Sequence, residues 1–318
     1  MSANAKFRIS LINLAILLMA MTAIGMPAVK FQKQAREAEA YKLAGEYAEQ
    51  KRWQDIVDLC QRRLRDKPSD AEMMSILGIA YSELGRHQES LDIFKRVVQL
   101  RPSNQVDKFN LGFAYSKAGR EQEAVEIYQK LIKDHPDIVL TYINLGASYV
   151  NLNRSGEAVE TLKHAIKLWP EDANAHFNMG VAYNDQELWS DAAAAFKQSV
   201  KLKPEFSDAW LNLGAAYEKQ ERFEEEIEAC LQAIKLKPDW AEAHYNLGVA
   251  LSKLGRWAEA VEAFKQAVKI KSGYAEAHFN LGVACLNLGD QKAAKAAYET
   301  LKTLDADLAS RLLKLISQ

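Results

Sequence analysis

Three histidines hold matching places in this 318-residue chain: His176, His244 and His278 are separated by 68 and 34 residues. Imidazoles recurring in one register suggest a metal site, where each ring nitrogen must come within about 2 Å of a zinc ion. If each 34-residue step carries the chain to the next stacked helix, successive rings stand about 8–10 Å apart, awkward for ligands of one ion. Trp210 also interrupts the row. The expected role is packing, with histidine standing for an aromatic between adjacent helices, and no metal is expected. Cys60, Cys230 and Cys285 fall on apolar stripes without any C-x-x-C pair, so they read as small buried hydrophobes. Glu226 is the one charge at a position that Ala158, Ala192 and Ala260 fill elsewhere. Its carboxylate is expected to reach solvent or a cation, since charges are almost never fully buried unpaired. No G-x-S-x-G, Walker-type glycine loop, H-E-x-x-H or dinucleotide motif occurs, and constant spacing leaves no long loops on which to arrange reacting groups. Neither catalysis nor a cofactor is expected.

A second row carries binding chemistry. Asn110, Asn144, Asn178, Asn212, Asn246 and Asn280 recur every 34 residues, and each carboxamide offers both donors and an acceptor. Beside them stand Phe109, Ile143, Phe177, Leu211, Tyr245 and Phe279. One helical turn further along the same face come Phe113, Ala147, Val181, Ala215, Val249 and Val283. An apolar strip with a polar ladder suits an extended polypeptide, whose backbone groups need partners wherever they lose water. The same amides could instead tie neighbouring helices together, and the residues leave both uses open. The candidate peptide-binding residues are therefore the six asparagines with Phe109, Phe177, Tyr245 and Phe279.

Two further rulers show what must position these rows. Pro68, Pro102, Pro136, Pro170, Pro204 and Pro238 are each 34 residues apart, as are Gly78, Gly112, Gly146, Gly180, Gly214, Gly248 and Gly282. A period in this range signals units that cannot bury their apolar faces alone and must stack. In Ser207–Trp240 the apolar residues Trp210, Leu213 and Tyr217, then Phe223, Ile227, Cys230 and Ile234, advance in steps of three and four, so each unit holds two amphipathic helices. Pro238 ends the second helix. Breaks such as Leu84-Gly85-Arg86, Ala118-Gly119-Arg120 and Leu254-Gly255-Arg256 supply the turn between helices, where glycine takes positive φ. Gly214 sits inside a helix stripe at a cost of about 1 kcal/mol against alanine, which implies close approach of the second helix.

These residues resemble the tetratricopeptide repeat pattern: in 173–206, His176 stands for the usual aromatic, Met179-Gly180 for Leu-Gly, and Tyr183, Ala192, Phe196 and Pro204 follow in place. The resemblance implies an all-α, right-handed superhelical solenoid of helix-turn-helix units whose first helices line a concave groove. Eight units are expected, at 37–70, 71–104, 105–138, 139–172, 173–206, 207–240, 241–274 and 275–308, within a repeat region of 31–308. Departures gather at the ends, where Ala44 replaces glycine, Arg63 a small residue, and Ser272 and Ala306 proline. Leu308, Leu312, Leu315 and Ile316 share a helical face, so 309–318 reads as a capping helix that continues from Asp307. The asparagine row is similar to that of the superhelix of O-linked N-acetylglucosamine transferase. Family members that grip chaperone C-termini place Lys and Asn in the two apolar rows, and neither stands there here.

The net charge of −1 offers no basic field for nucleic acid. Residues 1–30 contain Lys6, Arg8 and Lys30, no acid, and an uncharged stretch from Ile9 to Val29. This is read as a signal peptide, with Ala23-x-Gly25 as a cleavage site, or as an uncleaved membrane anchor. The repeats are accordingly expected outside the cytoplasm, in the periplasm if the source is bacterial, and the membrane is met only through this segment. The sequence thus points to a non-enzymatic scaffold or assembly factor that holds a protein or peptide in its groove. The alternative is a chaperone-like holder of exported unfolded chains.

Overall fold

The structure, a computed structural model, describes residues 28–317, with side chains from 38 onward. Seventeen α-helices and no strand occur among the described residues. The helices up to Ser148 are α1 (Ala28–Glu49), α2 (Trp53–Asp66), α3 (Ala71–Glu83), α4 (His87–Leu100), α5 (Gln105–Lys117) and α6 (Glu121–Asp134). Those beyond it are α8 (Ser155–Leu168), α9 (Ala173–Asp185), α10 (Trp189–Leu202), α11 (Ser207–Glu218), α12 (Phe223–Leu236), α13 (Ala241–Lys253), α14 (Trp257–Ile270), α15 (Ala275–Asn287), α16 (Gln291–Leu304) and α17 (Ala306–Ile316). The chain divides into two compact units at Ser148/Tyr149, inside α7 (Val139–Asn151). Within each unit a helix packs chiefly on the helices just before and after it. The leader expected at 1–30 lies outside the described residues apart from the backbone at Ala28–Lys30, which opens α1. No described helix is long and apolar enough to cross a membrane.

The hairpin turns repeat one construction. A residue two or three positions past the first helix takes positive φ: Gly85, Gly119, Gly255 and Gly289 at +71 to +78°, and Lys51, Asn153, Glu187 and Glu221 at +56 to +59°. Its successor donates its N–H back to a carbonyl five residues earlier, a tyrosine's in six of the eight described turns, as Arg86 does to Tyr81 at 2.8 Å and Arg222 to Tyr217 at 3.0 Å. This is the doubly closed helix end that a left-handed residue permits. In the turns where that successor is arginine and the acceptor tyrosine, the guanidinium lies over the tyrosine ring, 4.3 Å from its centroid for Arg86 and 4.5 Å for Arg222. It also bonds the acid three residues on, Glu89 or Glu225, in the first turn of the second helix. One side chain therefore ties the end of the first helix to the start of the second.

The glycine row lets the hairpins close. A Cβ on Gly180 would come 2.6 Å from the Phe196 ring, on Gly248 2.6 Å from Phe264, on Gly112 2.6 Å from Tyr128 and on Gly78 2.7 Å from Phe94. Those rings from the second helix are buried. Gly214, where close approach was expected, is the least crowded of these, because Cys230 occupies the ring position and its Sγ would stand 3.3 Å away. Ala44 has the same explanation: it faces a core that contains Cys60 in place of a ring, and both are fully buried. At Gly282 the obstructing atom belongs to α17, whose Leu312 Cδ2 would meet the added Cβ at 2.5 Å.

Entry into the first helices changes along the chain. In α3, α5 and α9 the cap residues Asp70, Asn104 and Asp172 accept from backbone N–H groups three residues on. In α11, α13 and α15 the cap positions hold Phe206, Trp240 and Tyr274, which make no such bond. They offer rings instead, and those of Phe206 and Tyr274 reach the candidate face.

Candidate peptide-binding face

All six row asparagines and Phe109, Phe177, Tyr245 and Phe279 are half-buried, as expected for residues between a core and an open face. Their amides are not equivalent. Asn144 donates to Leu140 O of its own helix at 2.9 Å, and Asn212 to Asp208 O at 2.8 Å. Asn280 donates to the Tyr245 hydroxyl at 3.2 Å, a tie across one repeat. The carboxamides of Asn110, Asn178 and Asn246 form no hydrogen bond among the described residues. The bonded and unbonded amides alternate from Asn110 to Asn246, and the unbonded ones stand beside Phe109, Phe177 and Tyr245. Half-exposed amides with spare donors and acceptors are free to take a partner's backbone.

The aromatic candidates have inner neighbours. Phe109 lies 5.9 Å from Tyr128, Phe177 5.7 Å from Phe196 and Tyr245 6.0 Å from Phe264, each tilted against the ring of its own hairpin. Phe177 and Tyr245 also carry outer rings, Phe206 at 4.8 Å and Tyr274 at 5.0 Å. Phe279 packs against α17 with Leu308 and Ile316 nearby, and Arg311 lies 4.9 Å over its ring. So the C-terminal helix covers part of the last station of the strip.

The histidine row proves to be a clip. His176, His244 and His278 each bring Nε2 to 2.9 Å from the carbonyl of the residue six earlier, Pro170, Pro238 and Ser272. Trp210 does the same with Nε1, 2.8 Å from Pro204 O. The shared feature is a ring N–H that secures the connection before the helix, which explains why tryptophan and histidine exchange there. Among the described residues no group of three or more His, Cys, Asp or Glu could hold a metal ion.

Glu226 contradicts its expectation. It is 1% exposed, and Oε2 has no hydrogen-bond partner. Burial first, then the nearby Glu218 charge, pushes its carboxyl up to about 8. At the matching position of an earlier hairpin Ser90 donates to Gly78 O at 2.7 Å. The cysteines are buried as expected, and burial pushes the Cys60 thiol up to about 12.

Sequence reasoning missed the polar ties of the first unit. Arg101 reaches Glu72 at 2.8 Å and Asp107 at 2.9 Å, and Asp107 is 2% exposed. Burial raises the Asp107 carboxyl, opposed by the Arg101 charge. Asp70 accepts from the Tyr41 hydroxyl at 2.8 Å and from Arg63 at 3.4 Å, so Arg63 replaces a small residue to meet a buried acid. The signal available was the paired departure of Arg63 and Asp70 from a small apolar site and an exposed cap.

Stacked helix hairpins with an open face of first helices define a helical-repeat protein. The chain belongs to the tetratricopeptide repeat family. It matches the family model described as the cilia and flagella-associated protein 70 C-terminal domain over residues 107–311, and a tetratricopeptide repeat model over 71–101. No curated protein matches it. Among solved structures it is similar to YrrB, a tetratricopeptide repeat protein with an unusual peptide-binding site, at 23% identity and a TM-score of 0.55, covering 60% of this chain and 99% of that one. The APC/C hetero-tetramer Cut9–Hcn1 matches at 18% identity and a TM-score of 0.59, over 84% of this chain and 53% of that chain. MamA from Desulfovibrio magneticus RS-1 matches at 22% identity and a TM-score of 0.50, over 53% and 96%. These likenesses show the fold.

Proposed function

We propose that the protein is a scaffold or assembly factor that holds an extended polypeptide segment on its first-helix face, without catalysing a reaction. The observation that carries this reading lies beyond Ser148, where the half-exposed carboxamides of Asn178 and Asn246 find no hydrogen-bond partner among the described residues and stand beside the half-buried rings of Phe177 and Tyr245. An extended segment has the complementary need, since each backbone N–H and C=O that leaves water must be paired. Aromatic and aliphatic neighbours supply apolar area for the segment's side chains. The peptide-binding site of the similar YrrB accords with this use of the fold. Export or membrane anchoring by the Ile9–Val29 stretch belongs to the same proposal, and the expected test outcome is a mature N-terminus at Met26 or recovery of the whole chain in the membrane fraction.

A photo-cross-linking residue placed at Val249, on the first-helix face, and in a separate variant at the half-exposed Leu231 of α12, locates the partner in the native source. Adducts from Val249 to one defined protein are expected. Adducts with many denatured proteins would favour the holder, and adducts from Leu231 alone would move the partner to the second-helix surface.

A further inference from the structure

Beyond Ser148 the face is not uniform. At Phe177 the outer ring of Phe206 lies tilted with its centroid at 4.8 Å, and Lys203 Nζ stands 4.9 Å from that outer ring. Two repeats on, Tyr274 stacks on Tyr245 at 5.0 Å with Lys271 4.5 Å from the Tyr274 ring. Each stacked pair has an unbonded carboxamide beside it, Asn178 or Asn246. The repeat between them keeps a lysine over a ring but differs in the rest. Leu211 is aliphatic, Asn212 is bonded to its own helix, and Lys237, though 4.4 Å from the Trp240 ring, is paired with Asp208 at 3.0 Å.

Register leaves Lys203 without a carboxylate, and a competing hydrogen bond occupies the one in register with Lys271. One repeat before Asp208 stands Asn174, which has no charge to give Lys203. One repeat after it stands Glu242, whose carboxylate accepts from Trp240 Nε1 at 3.0 Å, and Lys271 has no ion pair among the described residues. An ammonium on an aromatic face is attracted by the ring but is not neutralised, so it retains the capacity for a carboxylate.

We propose that this face binds an acidic extended segment at two equivalent stations, Lys203 with Phe206 and Asn178, and Lys271 with Tyr274 and Asn246, each lysine taking one carboxylate while the asparagine pairs the adjoining backbone. The proposal rests on the peptide-binding reading above. Stacked helices at 8–10 Å put stations two repeats apart at roughly 20 Å. An extended chain rises about 3.3 Å per residue, so the two acidic residues stand about six positions apart. Two separate cations, the second with the Glu242 and Glu276 carboxylates near its ring, suit single acidic side chains of a polypeptide and not a nucleic acid, which needs a continuous basic stripe.

The test is a selection of random 16-residue peptides displayed on phage against the whole chain, followed by fluorescence anisotropy of a selected peptide. Enrichment of Asp or Glu pairs five to seven residues apart is expected. Lys203→Gln with Lys271→Gln should weaken the selected peptide roughly tenfold and erase the spacing preference, while Lys237→Gln changes affinity less than twofold. Unchanged circular dichroism of these substitutions, two at exposed lysines and one at the half-buried Lys203, separates binding from folding. Peptides that bind through Asn178 and Asn246 without paired acids would overturn the two-station inference and leave the peptide-binding reading standing. Peptides insensitive to both the lysines and those asparagines, or no enrichment at all, would overturn both.

Discussion

Glu226 keeps a carboxyl group inside the protein with no partner for Oε2, and its proton affinity is raised to about 8 by burial and the neighbouring Glu218. Because the folded pKa exceeds the unfolded one, the folded state binds the extra proton. Stability is then full below the ordinary carboxyl range and falls as pH rises toward about 8, at a rate of up to ~1.4 kcal/mol per pH unit, levelling off above that. Glu226→Gln should flatten this slope and raise the melting temperature at pH 8 while changing it little at pH 4.5; identical slopes in both proteins would show that the buried carboxyl is not the source. The glycine row allows a sharper contrast. Gly180→Ala drives a methyl into the Phe196 ring and should cost about 2–3 kcal/mol. Gly214→Ala meets only Cys230 and gains about 1 kcal/mol of helix propensity, so its net effect should lie near zero, as the native Ala44 and Cys60 pair suggests. Equal losses in denaturant melts would contradict this. The periodic glycines were legible as close-contact sites, but which one is relaxed depends on a residue sixteen positions on. The buried fate of Glu226 was not legible either, since side-chain burial depends on what the next helix places over it.

Every hairpin turn needs a left-handed residue, and half of those described are not glycine. A side chain in that region costs about 1–2 kcal/mol, partly offset by the greater unfolded entropy of glycine. Glu187→Gly and Glu221→Gly should therefore each stabilise the protein by ~0.5–1 kcal/mol, and Gly119→Ala should destabilise it by about 1 kcal/mol. Chemical denaturation checks both signs, and destabilisation by the glycine substitutions would mean that those turns are held by the glutamate side chains. Helices and turns were legible because proline, glycine and the apolar steps of three and four act within a few residues of one another. The arginine that stacks on tyrosine and bonds an acid three residues later also recurs in the sequence, yet its double role needs the turn to bring ring, guanidinium and carboxylate together. The histidines were expected to pack between adjacent helices, whereas the carbonyl each reaches lies on the connection before its own helix.

At the scale of the molecule, each helix leans mainly on its sequence neighbours within a unit, so stability should be close to a sum of repeat and interface terms. Deleting Ser207–Trp240 should leave a folded, shorter helical protein, whereas deleting about half that length should expose an apolar stripe and aggregate. Equal disruption by the two deletions would contradict a stack of equivalent repeats. The whole-repeat deletion should also halve the separation of the two lysine stations, shifting preferred acidic pairs to about three residues apart. The fold was legible from one period, while the division of the asparagine row into bonded and unbonded amides was not, because six like residues in like places differ only in what surrounds them. That division supplies the most direct test of the central claim that the unbonded amides hold the partner. Affinity for the cross-linked partner and melting temperature should be measured for Asn178→Ala with Asn246→Ala, and for Asn144→Ala with Asn212→Ala. The first pair should lose roughly tenfold in affinity at an unchanged melting temperature, each lost bond being worth about 0.5–1.5 kcal/mol, and the second pair should lose less. Unaltered affinity in the first pair, or a collapse of its melting temperature, would contradict the claim.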